Sequence, residues 1–140
     1  MYVSHKNGKT ERLTNQEGWN SAIFSADYEY FINTWSDYNT PYVYTVRNKS
    51  GKILSTILDN HELKQTAQQY GFTKKETFSF TTSEGVKLDG WMVKPADFDA
   101  SRKYPVIMFQ YSGPGSQQVV NSWNAGSMGQ GGAFDYYLAS

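Results

Sequence analysis

Residues 103–117 read Lys103-Tyr104-Pro105-Val106-Ile107-Met108-Phe109-Gln110-Tyr111-Ser112-Gly113-Pro114-Gly115-Ser116-Gln117. Pro105 pushes Tyr104 towards an extended backbone, because its ring clashes with a helical residue before it. Val106-Ile107-Met108-Phe109 is then an uninterrupted apolar run. That pattern suits a strand covered on both faces, as in a parallel sheet. The run stops at Gln110-Tyr111 and enters the compact turn Ser112-Gly113-Pro114-Gly115-Ser116. There the glycines let the backbone turn tightly and Pro114 stiffens it. A hydrophobic strand that delivers polar groups into a Gly/Pro loop is a common way to build a site.

Upstream of this stretch lies a hairpin. Phe78 and Phe80 alternate with Thr77, Ser79 and Thr81; Ser83-Glu84-Gly85 turns the chain; Val86, Leu88 and Trp91-Met92-Val93 return it. Lys94-Pro95 ends the hairpin, and a polar loop follows to Lys103. Before it, a helix is expected between a cap at Asp59 or Asn60 and a left-handed stop at Gly71, with Leu63, Ala67 and Tyr70 on one face. Its mostly polar surface marks it as a connector.

Residues up to 58 read as short strands and turns. Residues 19–24, 28–35, 42–46 and 53–58 are strand candidates, with turns at Ser25-Ala26-Asp27, at residues 36–41 and at Asn48-Lys49-Ser50-Gly51. Four antiparallel strands at this spacing make one sheet or one propeller blade. Residues 121–132 are glycine-rich and read as a long loop, and Phe134 begins a candidate helix.

Composition narrows the function. The 140 residues carry 13 basic and 13 acidic side chains, for a net charge of zero. Lys6, Lys9, Arg12, Lys74, Lys75, Arg102 and Lys103 are scattered among acids and read as a solvated, mixed surface. With no basic stripe to neutralise phosphates, nucleic acid is not an expected partner. There is no cysteine, hence no disulfide or thiolate metal site, and no His/carboxylate cluster has ligand spacing. No metal or cofactor is expected. No apolar run reaches the length of a spanning helix, and the first residues contain no signal-peptide core.

The stretches Asp89-Gly90-Trp91-Met92-Val93-Lys94-Pro95, Phe98-Asp99, Lys103-Tyr104-Pro105-Val106-Ile107-Met108 and Gln110-Tyr111-Ser112-Gly113-Pro114-Gly115-Ser116-Gln117 together resemble the prolyl oligopeptidase family of serine peptidases, in its dipeptidyl peptidase IV branch. The strong part spans residues 76–118. Phe24-Ser25-Ala26-Asp27-Tyr28-Glu29-Tyr30 is similar to a late blade of the family's β-propeller. The resemblance implies a mixed β and α/β fold, an antiparallel blade-like sheet followed by the N-terminal part of an α/β-hydrolase domain. It divides the chain into residues 1–58, the last blade in part; residues 59–71, a connecting helix; and residues 72–140, part of the peptidase domain.

The resemblance also implies roles. Tyr111 would donate its hydroxyl to the oxyanion of the tetrahedral intermediate, a charge present only in the transition state. Without it, Tyr111 reads as a strand end that packs its ring. Ser112, Gly113, Pro114, Gly115, Ser116 and Gln117 would line the substrate cleft, as would Gln118 beside them. The longer protein would release X-Pro or X-Ala dipeptides from peptide N-termini, could be a homodimer, and would lie in a periplasm or outside the cell.

The catalytic triad is not legible. There is no Gly-x-Ser-x-Gly, and Ala125-Gly126-Ser127-Met128-Gly129 has neither a buried strand before it nor a helix former after it. His5 and His61 both precede it, against the order of the α/β-hydrolase triad. His61 reads as solvated and His5 as mobile near the terminus. The paired glutamates that anchor a peptide amine are not recognisable among Glu29, Glu62, Glu76 and Glu84. These residues alone are therefore expected to be inactive and, with residues 106–111 uncovered, to self-associate. Two other readings stand beside this one. Trp19, Trp35, Trp91 and Trp123 could form an aromatic platform for glycans or peptides, or the chain could be a self-associating structural β domain.

Overall fold

The computed structural model describes residues 3–6, 8–111, 113–123 and 132–140. It divides into two compact units. The first comprises Met1–Lys64 and Asn121–Trp123, the second Gln65–Val120 and Asn124–Ser140.

The first unit opens with an antiparallel hairpin of β1 (Val3–Lys6) and β2 (Lys9–Arg12). His5 pairs with Thr10 there, so its backbone is held in a ladder rather than left mobile. Gly8, at φ 75, supplies the positive φ of the turn. The sequence does not mark this hairpin by apolar alternation, because apart from Val3 its strands are polar; the Asn7-Gly8 dipeptide is the available signal.

A four-stranded antiparallel sheet follows, in the order β3 (Trp19–Phe24), β4 (Tyr30–Asp37), β5 (Thr40–Asn48) and β6 (Ile53–Leu58). Each turn is built by a short polar side chain. Asp27 Oδ1 accepts from the Ser25 hydroxyl (2.6 Å) and the Glu29 N–H (3.1 Å), and those bonds hold its carboxyl below the usual range. Asp37 Oδ1 accepts from the Asn39 N–H at 2.8 Å. Asn48 Oδ1 accepts from the N–H groups of Ser50 (3.1 Å) and Lys52 (3.0 Å). The second turn is shorter than expected. β4 runs on through Asp37 and β5 begins at Thr40, leaving Tyr38 and Asn39 between them. Asp37's own side chain closes the turn, so no longer loop is needed.

One face of this sheet is buried. Phe31, Asn33 and Trp35 of β4, Asn20 of β3, and Thr45 and Arg47 of β5 are all buried. Residues 13–18 cover them: Leu13 and Thr14 are buried, and Trp35 Nε1–H donates to the Glu17 carbonyl at 2.6 Å. Asn121 and Trp123, expected in a free loop, belong to this unit. Asn121 Oδ1 accepts from the Tyr38 N–H (2.9 Å), and the Trp123 N–H donates to Ser36 Oγ (3.2 Å).

Helix α1 (His61–Gln69) follows β6. Asp59 supplies the cap: its Oδ1 accepts from the His61 N–H at 3.1 Å. Asn60 instead donates its Nδ2–H to the Tyr42 carbonyl at 2.7 Å. At the other end the Phe72 N–H bonds the Ala67 carbonyl (3.0 Å) and the Gly71 N–H bonds the Gln68 carbonyl (3.0 Å). With Gly71 at φ 76, this is a Schellman stop, which satisfies carbonyls the helix cannot. Only Ala67 is buried, and the rest of the helix is exposed.

In the second unit β7 (Glu76–Thr81) and β8 (Lys87–Met92) form the expected hairpin, with Phe78 opposite Gly90 and Phe80 opposite Leu88. Helix α2 (Gly132–Ala139) lies near the end of the chain. The expected strand at residues 106–109 is the main departure. No ladder includes it, and Val106 and Met108 are each 85% exposed. A strand of this composition is stabilised by neighbours that pair with its edges and cover its faces. Among the described residues no strand stands beside it.

Candidate functional site

Tyr111 follows the exposed apolar run and is itself 61% exposed. Ser112 lies outside the described residues, as does the elbow-like sequence at 125–129. Gly113 lies against the Tyr111 ring: a Cβ there would stand 3.4 Å from Cε1 and 3.6 Å from the hydroxyl oxygen. Gly113, Pro114, Gly115 and Ser116 form a β-turn closed by the Ser116 N–H to Gly113 carbonyl bond, 3.1 Å. Pro114 occupies the second position and Gly115, at φ 76, the third, which is the residue pattern of a type II turn. A side chain at 115 would strain that backbone.

The turn is followed by local side-chain bonds. Gln118 Nε2–H donates to Ser116 Oγ (2.9 Å), and Gln117 Oε1 accepts from the Val119 N–H (2.9 Å). Pro114, Gly115, Ser116 and Gln117 are exposed. Tyr111 and the described residues 113–117 thus lie on one short, largely exposed stretch.

Behind this stretch is a buried cluster that the sequence did not disclose. Lys75 is 4% exposed, not solvated as its polar neighbours suggested. Its ammonium lies 3.3 Å from Asp135 Oδ2 of α2 and 4.0 Å from the centroid of the Trp91 ring of β8. Burial pulls the Lys75 ammonium below its ordinary pKa, and the Asp135 carboxylate opposes that shift. Tyr136 is buried beside them, stacked on Phe72 at 4.3 Å, and burial pushes its phenol up to about 12. Trp91 Nε1–H reaches out of the cluster to the Gln118 carbonyl at 3.3 Å. No local pattern around Lys75 marks it as buried, and Asp135 is 60 residues away in sequence.

The other titratable groups are engaged locally. His61 Nδ1 lies 2.8 Å from Asp59 Oδ1, and that carboxylate raises the imidazole pKa; both side chains are exposed and serve the helix cap. Glu29 pairs with Lys49 at 2.7 Å and Glu76 with Lys94 at 2.6 Å, so neither is placed beside a second glutamate by these bonds. Among the described residues no group of three or more His, Asp or Glu side chains could hold a metal ion. Among them, too, no helix is long and apolar enough to cross a membrane.

The chain with this four-stranded sheet, helix and hairpin superposes on solved peptidase structures. The crystal structure of Porphyromonas gingivalis dipeptidyl peptidase 4 superposes with a TM-score of 0.83 and 42% identity, over 95% of this chain and 18% of that one. That of a putative dipeptidyl aminopeptidase IV from Bacteroides ovatus gives 0.75 and 30%, over 96% and 18%. A probable dipeptidyl peptidase 4 of Aspergillus flavus is 32% identical over 105 residues, 75% of this chain and 14% of the relative. No protein-family model matches the chain. The chain belongs to the dipeptidyl peptidase 4 family, and it spans about one-seventh of the length of the curated relatives it matches.

Proposed function

We propose that the longer protein carrying this chain is a serine-type dipeptidyl peptidase that releases X-Pro or X-Ala dipeptides from peptide N-termini. Family membership supports peptidase chemistry, and the observation that carries the site is the Gly113–Ser116 turn with Tyr111 against it. Residues 1–58 would be part of the last propeller blade, residues 59–71 the connector and residues 72–140 the start of the α/β-hydrolase domain. A periplasmic or extracellular setting fits this reading.

In that enzyme a serine supplied from outside this chain adds its Oγ to the scissile carbonyl and passes its proton to a histidine. The C–N bond then breaks, the amine leaves with that proton, and water hydrolyses the acyl ester. Tyr111 donates its phenolic O–H to the oxyanion of each tetrahedral intermediate. The 140 residues alone, without nucleophile and base, do not turn over substrate.

An aromatic binding platform is less well supported by the tryptophans. Trp35 is buried, Trp91 and Trp123 are half-buried, and Trp19 is 54% exposed. A Gly-Pro chromogenic assay tests the proposal on three proteins: the full-length protein, its Tyr111→Phe variant and the 140-residue chain. Cleavage by the first, a loss of roughly 10²–10³ in kcat in the second and none in the third are expected. An inert full-length protein would sink the peptidase reading. Full activity in Tyr111→Phe would remove only the oxyanion role.

A further inference from the structure

We infer that Trp91 is a positioning residue for Tyr111, clamped by the buried Lys75–Asp135 pair; this rests on the peptidase function proposed above. A series of hydrogen bonds leads from the cluster to the turn that follows Tyr111. Lys75 Nζ sits 4.0 Å from the Trp91 ring centroid and 3.3 Å from Asp135 Oδ2. Trp91 Nε1–H holds the Gln118 carbonyl at 3.3 Å, and Gln118 Nε2–H holds Ser116 Oγ at 2.9 Å. The Ser116 N–H holds the Gly113 carbonyl at 3.1 Å, and Gly113 lies against the Tyr111 ring.

The physical need for such a support is plain. Among the described residues, 106–111 join no ladder; in the proposed enzyme, strands from outside this chain would pair with that segment, and the series above would hold the turn that follows Tyr111. Within this chain Pro114 to Gln117 are exposed, and the bonds of Gln118 and Trp91 are what the described residues contribute to holding the turn. The buried end of the series is the Lys75–Asp135 pair, with the half-buried Trp91 ring against it. An ammonium over an indole face, itself held by a carboxylate, restricts rotation of the indole and aims its N–H in one direction. An oxyanion donor is effective only when fixed before the reaction, and small displacements caused by remote substitutions can cost as much as ~10²-fold.

The test uses the full-length protein and a Gly-Pro chromogenic substrate. Trp91→Phe keeps a ring face for Lys75 and removes the N–H. It should lower kcat roughly tenfold and leave KM within about twofold, because Tyr111 acts on the transition state. In a Tyr111→Phe background the same substitution should change kcat by less than about twofold. General loosening of the fold would lower kcat in both backgrounds. Unchanged kcat in Trp91→Phe, or a tenfold fall that persists in Tyr111→Phe, overturns the positioning role. Should Trp91→Phe not fold, Gln118→Ala decides, since it cuts the Ser116 contact and leaves the buried pair intact. A fall in kcat that vanishes in Tyr111→Phe supports the role, and an unchanged kcat overturns it. A full-length protein that does not cleave the substrate overturns the peptidase reading and the positioning role together. An active one indifferent to these substitutions overturns the positioning role alone.

Discussion

The outer edge of the Phe78 ring lies over Gly90, its partner across the β7–β8 hairpin, so closely that a Cβ at residue 90 would stand 2.6 Å from Cζ. Glycine in a strand interior is usually a loss, but here the ring fills the place of the missing side chain. Gly90→Ala should force the ring aside and cost about 1 kcal/mol. In a Phe78→Ala background the same change should be neutral or slightly stabilising, because alanine then restricts only the unfolded chain. Urea denaturation of the four proteins measures the coupling, and equal costs in both backgrounds would contradict it.

The Lys75–Asp135 pair makes a second prediction. Lys75→Met removes the cation and leaves the Asp135 carboxylate buried without it, which should cost roughly 3–5 kcal/mol. Lys75→Met combined with Asp135→Leu should recover most of that, since replacing both charges by apolar groups is often near neutral. Denaturation midpoints read both. A double variant as unstable as the single one would show that packing, not charge, dominates the cluster.

At the start of α1, Asp59 raises the His61 pKa above 6.5, and His61 lowers that of Asp59 below 3.8. The histidine's contribution is full below its unfolded value and is lost as pH rises through its raised folded value. The aspartate's contribution is full above its unfolded value and is lost as pH falls through its lowered one. Their joint support of the helix therefore peaks between these limits, in mildly acidic solution. NMR titration of the His61 ring should give a pKa above 6.5 that falls back in Asp59→Asn. An identical titration in the variant would refute the pairing.

Burial, aided by the Asp135 charge, pushes Tyr136 from 10.0 to about 12. The folded state thus holds this phenolic proton more tightly than the unfolded state. The resulting stabilisation is complete below pH 10.0 and is lost as pH rises through about 12. Absorbance titration of the wild type minus that of Tyr136→Phe should show one phenol ionising near the upper value. A difference curve centred on 10.0 would mean that the ring is solvated.

The exposed run Val106-Ile107-Met108 should make the isolated 140-residue chain associate, because bare apolar backbone edges recruit partners. Light scattering after gel filtration should find dimers or larger species. Val106→Glu with Met108→Glu should shift them towards monomer. A monodisperse wild-type monomer that melts cooperatively would argue strongly against this.

Much of this architecture was legible locally. Strand alternation at Phe78 and Phe80, the Asp59 cap, the Gly71 stop and the Pro114-Gly115 turn are each set by neighbours a few residues away. The polar β1–β2 hairpin was not, since its strands carry no apolar alternation to read. Lys75 also misled: a lysine next to Lys74 and Glu76 reads as surface until a carboxylate from distant α2 and an indole from β8 arrive beside it.

The sequence by itself determined the blade-like sheet, the helix, the hairpin and the Gly113–Ser116 turn, because periodicity, capping and turn chemistry act over short distances. Only the tertiary structure decided which charges are buried, that Asn121 and Trp123 pack with the first unit, and that Trp91 holds the Gln118 carbonyl. It also left residues 106–109 exposed, although their composition is that of a covered strand. Burial is a property of what surrounds a segment, and those surroundings are assembled from residues far apart along the chain.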